Sequence, residues 1–180
     1  MNITNIKFHV RIKDCLLEQY QWALQHADIC ICKKTSSFIT FKYRSFTYTC
    51  FNSGFVNVTG VKRRKEKSVA VKALEECLSL EHKSFTRPTV DNISSNWSEK
   101  NKLKKINLLV ILSIAQKHNS IKETKYNREK FPALFLKTCH WGTLLWYGSP
   151  AIVAVGSKSK KDVKLLNKVI QSILNDVDLL

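Results

Sequence analysis

Three residues close together in the chain have side chains that bind metal ions. His26, Cys30 and Cys32 could supply three of the four ligands of a zinc site. A fourth ligand would have to come from a distant part of the chain, and the Cys-x-Cys spacing places both thiols on one face of a strand. We therefore favour reduced, mostly buried thiols, and the sequence predicts neither a metal ion nor a cofactor.

Groups that could perform catalysis are also poorly placed. Cys139 and His140 are neighbours in the chain, which points their side chains apart and argues against a nucleophile with its base. No pair of carboxylates falls on the exposed face of the predicted strands, so acid–base chemistry has no candidate. The sequence predicts a protein that is not an enzyme.

Positive charge is the strongest chemical signal. The 180 residues include 30 Lys and Arg but 14 Asp and Glu, a net charge of +16. Residues 1–82 hold 13 basic and 7 acidic residues and residues 105–180 hold 12 and 5, so the excess is not confined to a tail. Such a distribution favours an anionic partner, most commonly nucleic acid, over a merely soluble surface. The cluster 62–65 (Lys-Arg-Arg-Lys) begins a predicted helix, where we expect it to bind phosphate or an acidic partner rather than act as a targeting signal.

Two segments 96 residues apart share one pattern. Residues 51–62 and 147–158 each contain an aromatic residue, a turn, an alternating strand and Gly-x-Lys, and an amphipathic helix follows each. Alternating strands at 38–43 and 131–137 precede them. The pattern therefore predicts that each half consists of a strand, a helix, about four strands and a second helix.

The first strand of each half completes this organisation. Ile3–Ile12 alternates strictly, and its expected counterpart is Ile106–Ile114, followed by a short helix over about 113–122. Residues 83–104 are rich in Ser, Asn and Lys and are expected to be an exposed linker, which Trp97 could dock onto the body of the protein. The predicted division is repeat 1 (1–82), linker (83–104) and repeat 2 (105–180), within one continuous domain.

Alternation also separates the two faces of the sheet. Ile39 and Phe41 should pack beneath helices, and the other face carries Phe38, Thr40, Lys42 and Arg44. In the second half the uncovered face is more apolar. An apolar face with basic rims suits the minor groove of DNA; the alternative is that a protein partner or the linker covers it. No segment is long enough for a membrane span, the longest apolar run being 106–115.

The order of these features resembles the core of the TATA-box-binding protein family, over residues 3–82 and 104–180. The tract 131–134 (Phe-Pro-Ala-Leu) looks like that family's Phe-Pro-Gly-Leu, and 57–60 (Asn-Val-Thr-Gly) like its Val-x-Thr-Gly. Three sets of residues match family positions that contact DNA. The matched wedges are Phe38, Phe51, Phe131 and Tyr147; the matched minor-groove positions are Asn5, Asn107, Asn57, Thr59, Val153 and Val155; the matched phosphate-binding positions are Arg44, Lys62, Lys137 and Lys158.

The resemblance implies an α+β saddle fold, with two pseudo-symmetric repeats forming one curved antiparallel sheet of about ten strands and helices on its convex face. It implies a transcription initiation factor that inserts aromatic wedges into the minor groove of A/T-rich promoter DNA and bends it. The implied partners are double-stranded DNA and initiation factors resembling factor IIB and factor IIA, or RNA polymerase. The implied location is the nucleus, or a cytoplasmic viral factory if the chain is viral.

Several positions depart from the family pattern. Tyr147 carries a hydroxyl on a wedge, Asn57 replaces a valine, and the tip 126–130 keeps only Glu129 of the acidic residues that bind factor IIB in the family. These departures fit a divergent, viral relative better than a standard cellular one. Two alternative functions stay open: a protein-interaction scaffold that no longer bends DNA, and an accessory domain of a nucleic-acid enzyme.

Overall fold

The described residues of the chain form ten strands and four α-helices. The computed structural model of the chain describes residues 1–98, 107–148 and 151–178. All ten strands belong to one antiparallel sheet. Two compact units divide the chain: the N-terminal unit, Asn5–Asp91, and the C-terminal unit, Met1–Thr4 with Asn92–Leu180. The predicted α+β class with about ten antiparallel strands is confirmed.

The N-terminal unit contains five strands in the order β2-β3-β4-β5-β1. Every neighbouring pair is antiparallel. A short 3₁₀ turn at Asp14–Leu16 leads into the first helix. Its elements are β1 (Asn2–Arg11, whose first residues lie in the other unit), α1 (Leu17–His26), β2 (Ile31–Lys34), β3 (Phe38–Tyr43), β4 (Phe46–Phe51), β5 (Phe55–Val61) and α2 (Glu66–Cys77).

The C-terminal unit repeats this arrangement with the strand order β6-β10-β9-β8-β7. Its pairs are antiparallel as well. Its elements are β6 (Thr89–Ser98, which begins in the N-terminal unit), α3 (Leu108–Lys117), β7 (Ile121–Lys125), β8 (Ala133–Thr138), β9 (Thr143–Tyr147), β10 (Ala151–Ser157) and α4 (Lys160–Asp178).

In the N-terminal unit both helices cover the same face of the sheet. The Tyr48 hydroxyl of β4 donates a hydrogen bond of 2.8 Å to the carbonyl of Ala70 in α2. Tyr20 of α1 lies fully buried against Cys50, the next residue of β4 with the same orientation. Burial raises the pKa of the Cys50 thiol to about 12, so this sulfur is an inert part of the core. The opposite face of the sheet carries no helix of this unit.

The core of the C-terminal unit confirms the periodicity predicted for its last helix. Apolar residues of α4 recur at helical spacing and are buried, and all but Val163 belong to one core cluster with residues of β8, β9, β10 and α3. Burying a side chain of this size contributes about 1.5–3 kcal/mol, so α4 is held mainly by this stripe. Its members are Val163, Leu166, Val169, Ile170, Ile173 and Leu174.

The strand predicted at 106–114 is wrong. Residues from Leu108 form α3, nearer the start of the chain than the helix expected at 113–122; Ile106 lies outside the described residues. Asn107 is the N-cap, and its side-chain oxygen accepts a hydrogen bond of 2.9 Å from the Leu109 N–H. Leu108, Ile111 and Ala115 are buried on one side, so the apolar run follows helical rather than strand periodicity.

The linker expected at 83–104 also needs correction. Thr89–Ser98 form β6, which pairs with β10; residues 99–104 lie outside the described residues. Ile93, Ser95 and Trp97 alternate with more accessible neighbours and are buried. Because the buried position 95 holds a serine, the sequence does not show the apolar–polar alternation that is typical of a strand. The docking expected for Trp97 is confirmed.

The cysteines differ from the expectation of mostly buried thiols. Cys15, Cys30, Cys32 and Cys139 are exposed, and of the six only Cys50 is classed as buried. Among residues 1–98, 107–148 and 151–178, no group of three His, Cys, Asp or Glu side chains is arranged to hold a metal ion. Within the same ranges no helix is long and apolar enough to cross a membrane.

Candidate nucleic-acid interface

The face of each unit's sheet that its helices leave uncovered is termed the open face. In the N-terminal unit its middle is a polar row in register across four strands, since His9 pairs with Asn57, Asn57 with Thr49 and Thr49 with Thr40. All four side chains are partly accessible. The two threonine hydroxyls lie 3.1 Å apart and hydrogen-bond to each other. Thr59 lies one step along β5 from Asn57 and pairs with Thr47.

The corresponding row of the C-terminal unit is apolar except at its β6 end, which Asn96 occupies. Val153 pairs with Asn96 of β6 and with Leu145 of β9, which in turn pairs with Phe135 of β8. Val155, the next open-face residue of β10, pairs with Thr143. Val153 and Val155 therefore lie on the open face, as the sequence predicts, and Asn57 occupies the position of Val153 in the other unit.

Each unit brings together two of the four predicted wedge residues. Phe38 and Phe51 are register partners on β3 and β4, with ring centroids 5.7 Å apart. Phe131 precedes β8 and lies 6.3 Å from the ring of Tyr147 at the end of β9. Phe131 is 44% exposed, an unusual loss of apolar burial for a phenylalanine. The pairing is confirmed by the structure; the wedge role stays a prediction.

Asparagine side chains mark the same position in both units. The Asn5 side-chain oxygen accepts a hydrogen bond of 2.9 Å from the Gly60 N–H, and that of Asn92 accepts one of 2.6 Å from the Gly156 N–H. Each is the fourth residue of its strand, β1 or β6. The counterpart of Asn5 is therefore Asn92, and the assignment of Asn107 to this position is wrong because Asn107 caps α3.

These hydrogen bonds fix which way the amides point. A backbone N–H can only donate, so each asparagine must turn its oxygen toward the glycine. Within the described residues the Nδ2 groups of Asn5 and Asn92 make no hydrogen bond. In each unit, the hydrogen bond that the asparagine oxygen accepts from the glycine therefore fixes the orientation of the amide's N–H₂ group, which is left free to donate.

The basic residues predicted to bind phosphate have different surroundings. Arg44 lies in the β3–β4 turn, and its guanidinium forms an ion pair of 2.6 Å with Glu76 of α2. Lys42 instead is exposed on the open face, in register with Thr47, as Lys137 is with Thr143. By strand register, the position equivalent to Lys137 in the N-terminal unit is therefore that of Lys42 and not that of Arg44.

Lys62 and Lys158 stand at equivalent places, just after β5 and β10, and both side chains are exposed. Their backbone N–H groups donate to carboxylates in the first turn of the following helices, Lys62 to Glu66 at 2.9 Å and Lys158 to Asp162 at 3.0 Å. The anion expected at the basic helix start is thus supplied, in both units, by the chain itself.

Comparison with known proteins decides the fold. No protein-family model and no curated protein matches the sequence. The structure is similar to that of Methanococcus jannaschii TBP, with a TM-score of 0.70 over 97% of this chain and 98% of that one, at 19% sequence identity. The chain has a divergent TBP-like fold. At this identity the likeness shows the fold, so the roles of individual residues depend on this chain's own geometry.

Two glycines of the TBP-like fold differ in a way that can be tested. Gly60 and Gly156 both have positive φ, +91° and +84°, which costs a residue with a Cβ about 1–2 kcal/mol. A Cβ on Gly60 would also lie 2.7 Å from the carbonyl oxygen of Ser45, whereas one on Gly156 would meet only Gly142 at 3.5 Å.

We therefore expect Gly60→Ala to lower the free energy of unfolding by about 3 kcal/mol, since backbone strain and the clash add. Gly156→Ala, the matched control, should cost about 1–2 kcal/mol. Urea unfolding followed by circular dichroism measures both. Equal losses would contradict the contact between β5 and the Ser45 turn.

The carboxylate at the start of α2 predicts a pH dependence. Hydrogen bonds from the Lys62 and Arg63 N–H groups hold the pKa of Glu66 below its ordinary value of 4.5. Because the folded-state pKa is lowered, Glu66 stabilises the fold above pH 4.5, and this contribution is lost as the pH falls through the lowered pKa. The pKa of Asp162 in α4 is lowered as well. Desolvation by partial burial acts to raise this pKa, but the hydrogen bonds from Lys158 and Ser159 have the larger combined effect.

Glu66→Gln should therefore be less stable than the parent at pH 7 and should lose less stability on acidification. The two curves should converge at low pH, where a protonated Glu66 resembles glutamine. Thermal unfolding between pH 7 and 3 measures this. Glu18→Gln is the control, because the side chain of Glu18, in the first turn of α1, makes no hydrogen bond within the described residues. A Glu66→Gln profile parallel to the parent's would contradict the capping role.

The TBP-like fold shows which open-face residues sequence reasoning missed. Asn92 is followed by Ile93 as Asn5 is by Ile6, a signal obscured by the Ser/Asn-rich composition around it. His9, partly buried, forms a hydrogen bond of 2.7 Å with Asp91. The alternation of β1 predicts that His9 lies on the face opposite the apolar residues of this strand. Only the pairing of β1 with β5 brings His9 beside Asn57.

Proposed function

We propose that this chain is a DNA-binding, TBP-like transcription initiation factor that inserts aromatic wedges into the minor groove of A/T-rich promoter DNA and bends it. One observation carries the proposal: each unit presents a pair of accessible aromatic rings on a helix-free sheet face that also holds an amide donor. The TBP-like fold supports a DNA-binding role in general. The proposed wedges and bend are argued from the aromatic pairs of this chain.

The chemistry of the open faces suits the minor groove. The walls of that groove are sugars, and its floor at A·T pairs presents only acceptors, adenine N3 and thymine O2. Asn5 and Asn92 each present an N–H₂ donor, and Val153 and Leu145 present apolar surface. A net charge of +16 supplies the attraction to phosphates that any duplex binding needs.

The aromatic pairs account for bending. Inserting a ring between base pairs costs a few kcal/mol of stacking, which is repaid when the bent duplex contacts more protein surface. Phe131 has the exposure expected of a ring whose burial partner is DNA. The Phe38 ring, in contact with that of Phe51 and with the Lys33 ammonium 5.5 Å from its centre, could combine insertion with charge.

The test uses the full chain and a short A/T-rich duplex with a donor and an acceptor dye at its two ends. We expect binding by anisotropy and, at the same protein concentrations, a rise in energy transfer as the ends approach. A G·C duplex of the same length should bind more weakly and bend less. Binding to no duplex would overturn the proposal.

A second candidate is a TBP-fold scaffold that joins proteins of a transcription complex without bending DNA. The apolar row of Phe135, Leu145 and Val153 favours it, because exposed apolar surface is typical of protein interfaces. Binding of the duplex with unchanged energy transfer would favour this candidate. The partners proposed for either candidate are initiation factors resembling factor IIB and factor IIA, or RNA polymerase, acting in the nucleus or in a viral factory.

A further inference from the structure

We propose that the two units read different base pairs: the N-terminal unit binds the 2-amino group of a guanine, while the C-terminal unit is restricted to A·T pairs. This inference rests on the proposed function, because it concerns the same open faces. It follows from one chemical difference between two otherwise equivalent rows of side chains.

The minor groove distinguishes base pairs by one group. A·T and T·A pairs present only acceptors there, and a G·C pair adds the guanine N2 amine, a donor. An acceptor on the protein can bind that amine. An apolar side chain pressed against it removes water without replacing the lost hydrogen bond, which weakens binding by about 5- to 100-fold.

The N-terminal row supplies the acceptor. Asn57 is partly accessible between Thr49 and His9, and within the described residues its side chain makes no hydrogen bond. The His9 imidazole, by contrast, is held by Asp91 at 2.7 Å. The oxygen of Asn57 can therefore turn toward a guanine amine, and the Thr40 and Thr49 hydroxyls beside it keep lone pairs after bonding each other.

The C-terminal row has no such group at the equivalent place. Val153 stands 96 residues after Asn57 and holds the same position in its unit, between β9 and β6. Its neighbours toward β8 are Leu145 and Phe135, which have no side-chain acceptor. Asn96, on β6, is the polar end of this row, as His9 is in the other. Val153 itself offers a guanine amine no acceptor.

Inosine provides a direct test. An inosine·cytosine pair lacks the 2-amino group and presents the same minor-groove groups as A·T. An A/T-rich duplex is made in two series, with a single G·C or a single I·C pair moved one position at a time, and the dissociation constant of the full chain is measured for each. In one half of the duplex we expect G·C to bind about 3- to 10-fold more tightly than I·C, the effect of one hydrogen bond. In the other half G·C should bind more weakly, and I·C should restore the affinity.

Two exchanged variants assign the halves to the units. Asn57→Val should abolish the preference for G·C over I·C in the first half and leave the second unchanged. Val153→Asn should remove the penalty for G·C in the second half and leave the first unchanged. Both substitutions are on partly accessible positions, and circular dichroism confirms that each variant is folded.

The outcomes distinguish a failure of this inference from a failure of the proposed function on which it rests. If the chain binds and bends the duplex but G·C and I·C are equal at every position, the inference is wrong and the proposed function stands. A preference that survives in Asn57→Val overturns the role of Asn57. Failure to bind any duplex overturns the proposed function together with the inference.

Discussion

An A/T-rich duplex labelled at both ends should show a much smaller protein-induced change in energy transfer with the double variant Phe131→Ala/Tyr147→Ala than with the parent, because only the Phe38–Phe51 pair is left to bend it. These two rings form the aromatic pair of the C-terminal unit, with centroids 6.3 Å apart. Without inserted rings no base step is unstacked at that end, so the duplex does not bend there to contact more protein surface. We expect affinity to fall as well, by about 1–3 kcal/mol for each ring, the scale of base–aromatic stacking.

Two controls separate the wedge from general damage. Tyr147→Phe keeps the ring and loses a hydroxyl that stacks poorly, so it should bend the duplex at least as well as the parent. Trp22→Ala removes a ring that is 60% exposed on α1 and stacked on His26, away from the open face, and should change nothing. A folded double variant that bends DNA to the parent's extent would show the wedge assignment to be wrong.

The internal repeat was the most informative sequence feature. The 96-residue offset places Asn57 and Val153, Lys62 and Lys158, and the residues around them at equivalent positions, and the structure confirms the strands and helices that follow from it. These segments are predictable because alternating strands and an amphipathic helix show their periodicity within ten residues. Local pattern and final fold agree there.

Asn107 shows where local pattern was insufficient. It precedes an apolar run, and Asn5 lies in an alternating one; this likeness predicts a strand. Asparagine is also a preferred N-cap, and the apolar residues Leu108, Ile111 and Ala115 have helical spacing. The true counterpart, Asn92, lies in a strand whose buried positions include Ser95, so composition alone favoured a loop.

Arg44 illustrates a limit of a different kind. Alternation along β3 assigns Arg44 to the open face, together with Phe38 and Lys42. The strand ends at Tyr43, and Arg44 takes a positive φ of 53° in the following turn. The turn directs its guanidinium to Glu76, a partner 32 residues away that no local pattern reveals. Long-range ion pairs of this kind depend on the packing of α2.

Removing lysines from the proposed interface should weaken binding to every duplex and flatten its salt dependence. Each phosphate contact contributes about −0.9 to the slope of log affinity against log salt, and phosphate contacts carry no sequence information. We expect each lysine changed to alanine to remove about 0.9 from the slope, and the fourfold variant about 3.6. The lysines are Lys42, Lys62, Lys137 and Lys158. Anisotropy titrations at several salt concentrations, with an A/T-rich and a G·C duplex, measure the slopes.

Arg44→Ala is the matched control, because it removes one positive charge that is already paired. The Glu76 carboxylate 2.6 Å from the guanidinium neutralises it within the fold, so no counterion of the DNA has to be released on its account. Its slope should therefore equal the parent's. A loss near 0.9 in Arg44→Ala would mean that the ion pair opens on DNA and that Arg44 does bind phosphate. Unchanged slopes in the lysine variants would mean instead that these lysines only face solvent and that other basic residues hold the duplex.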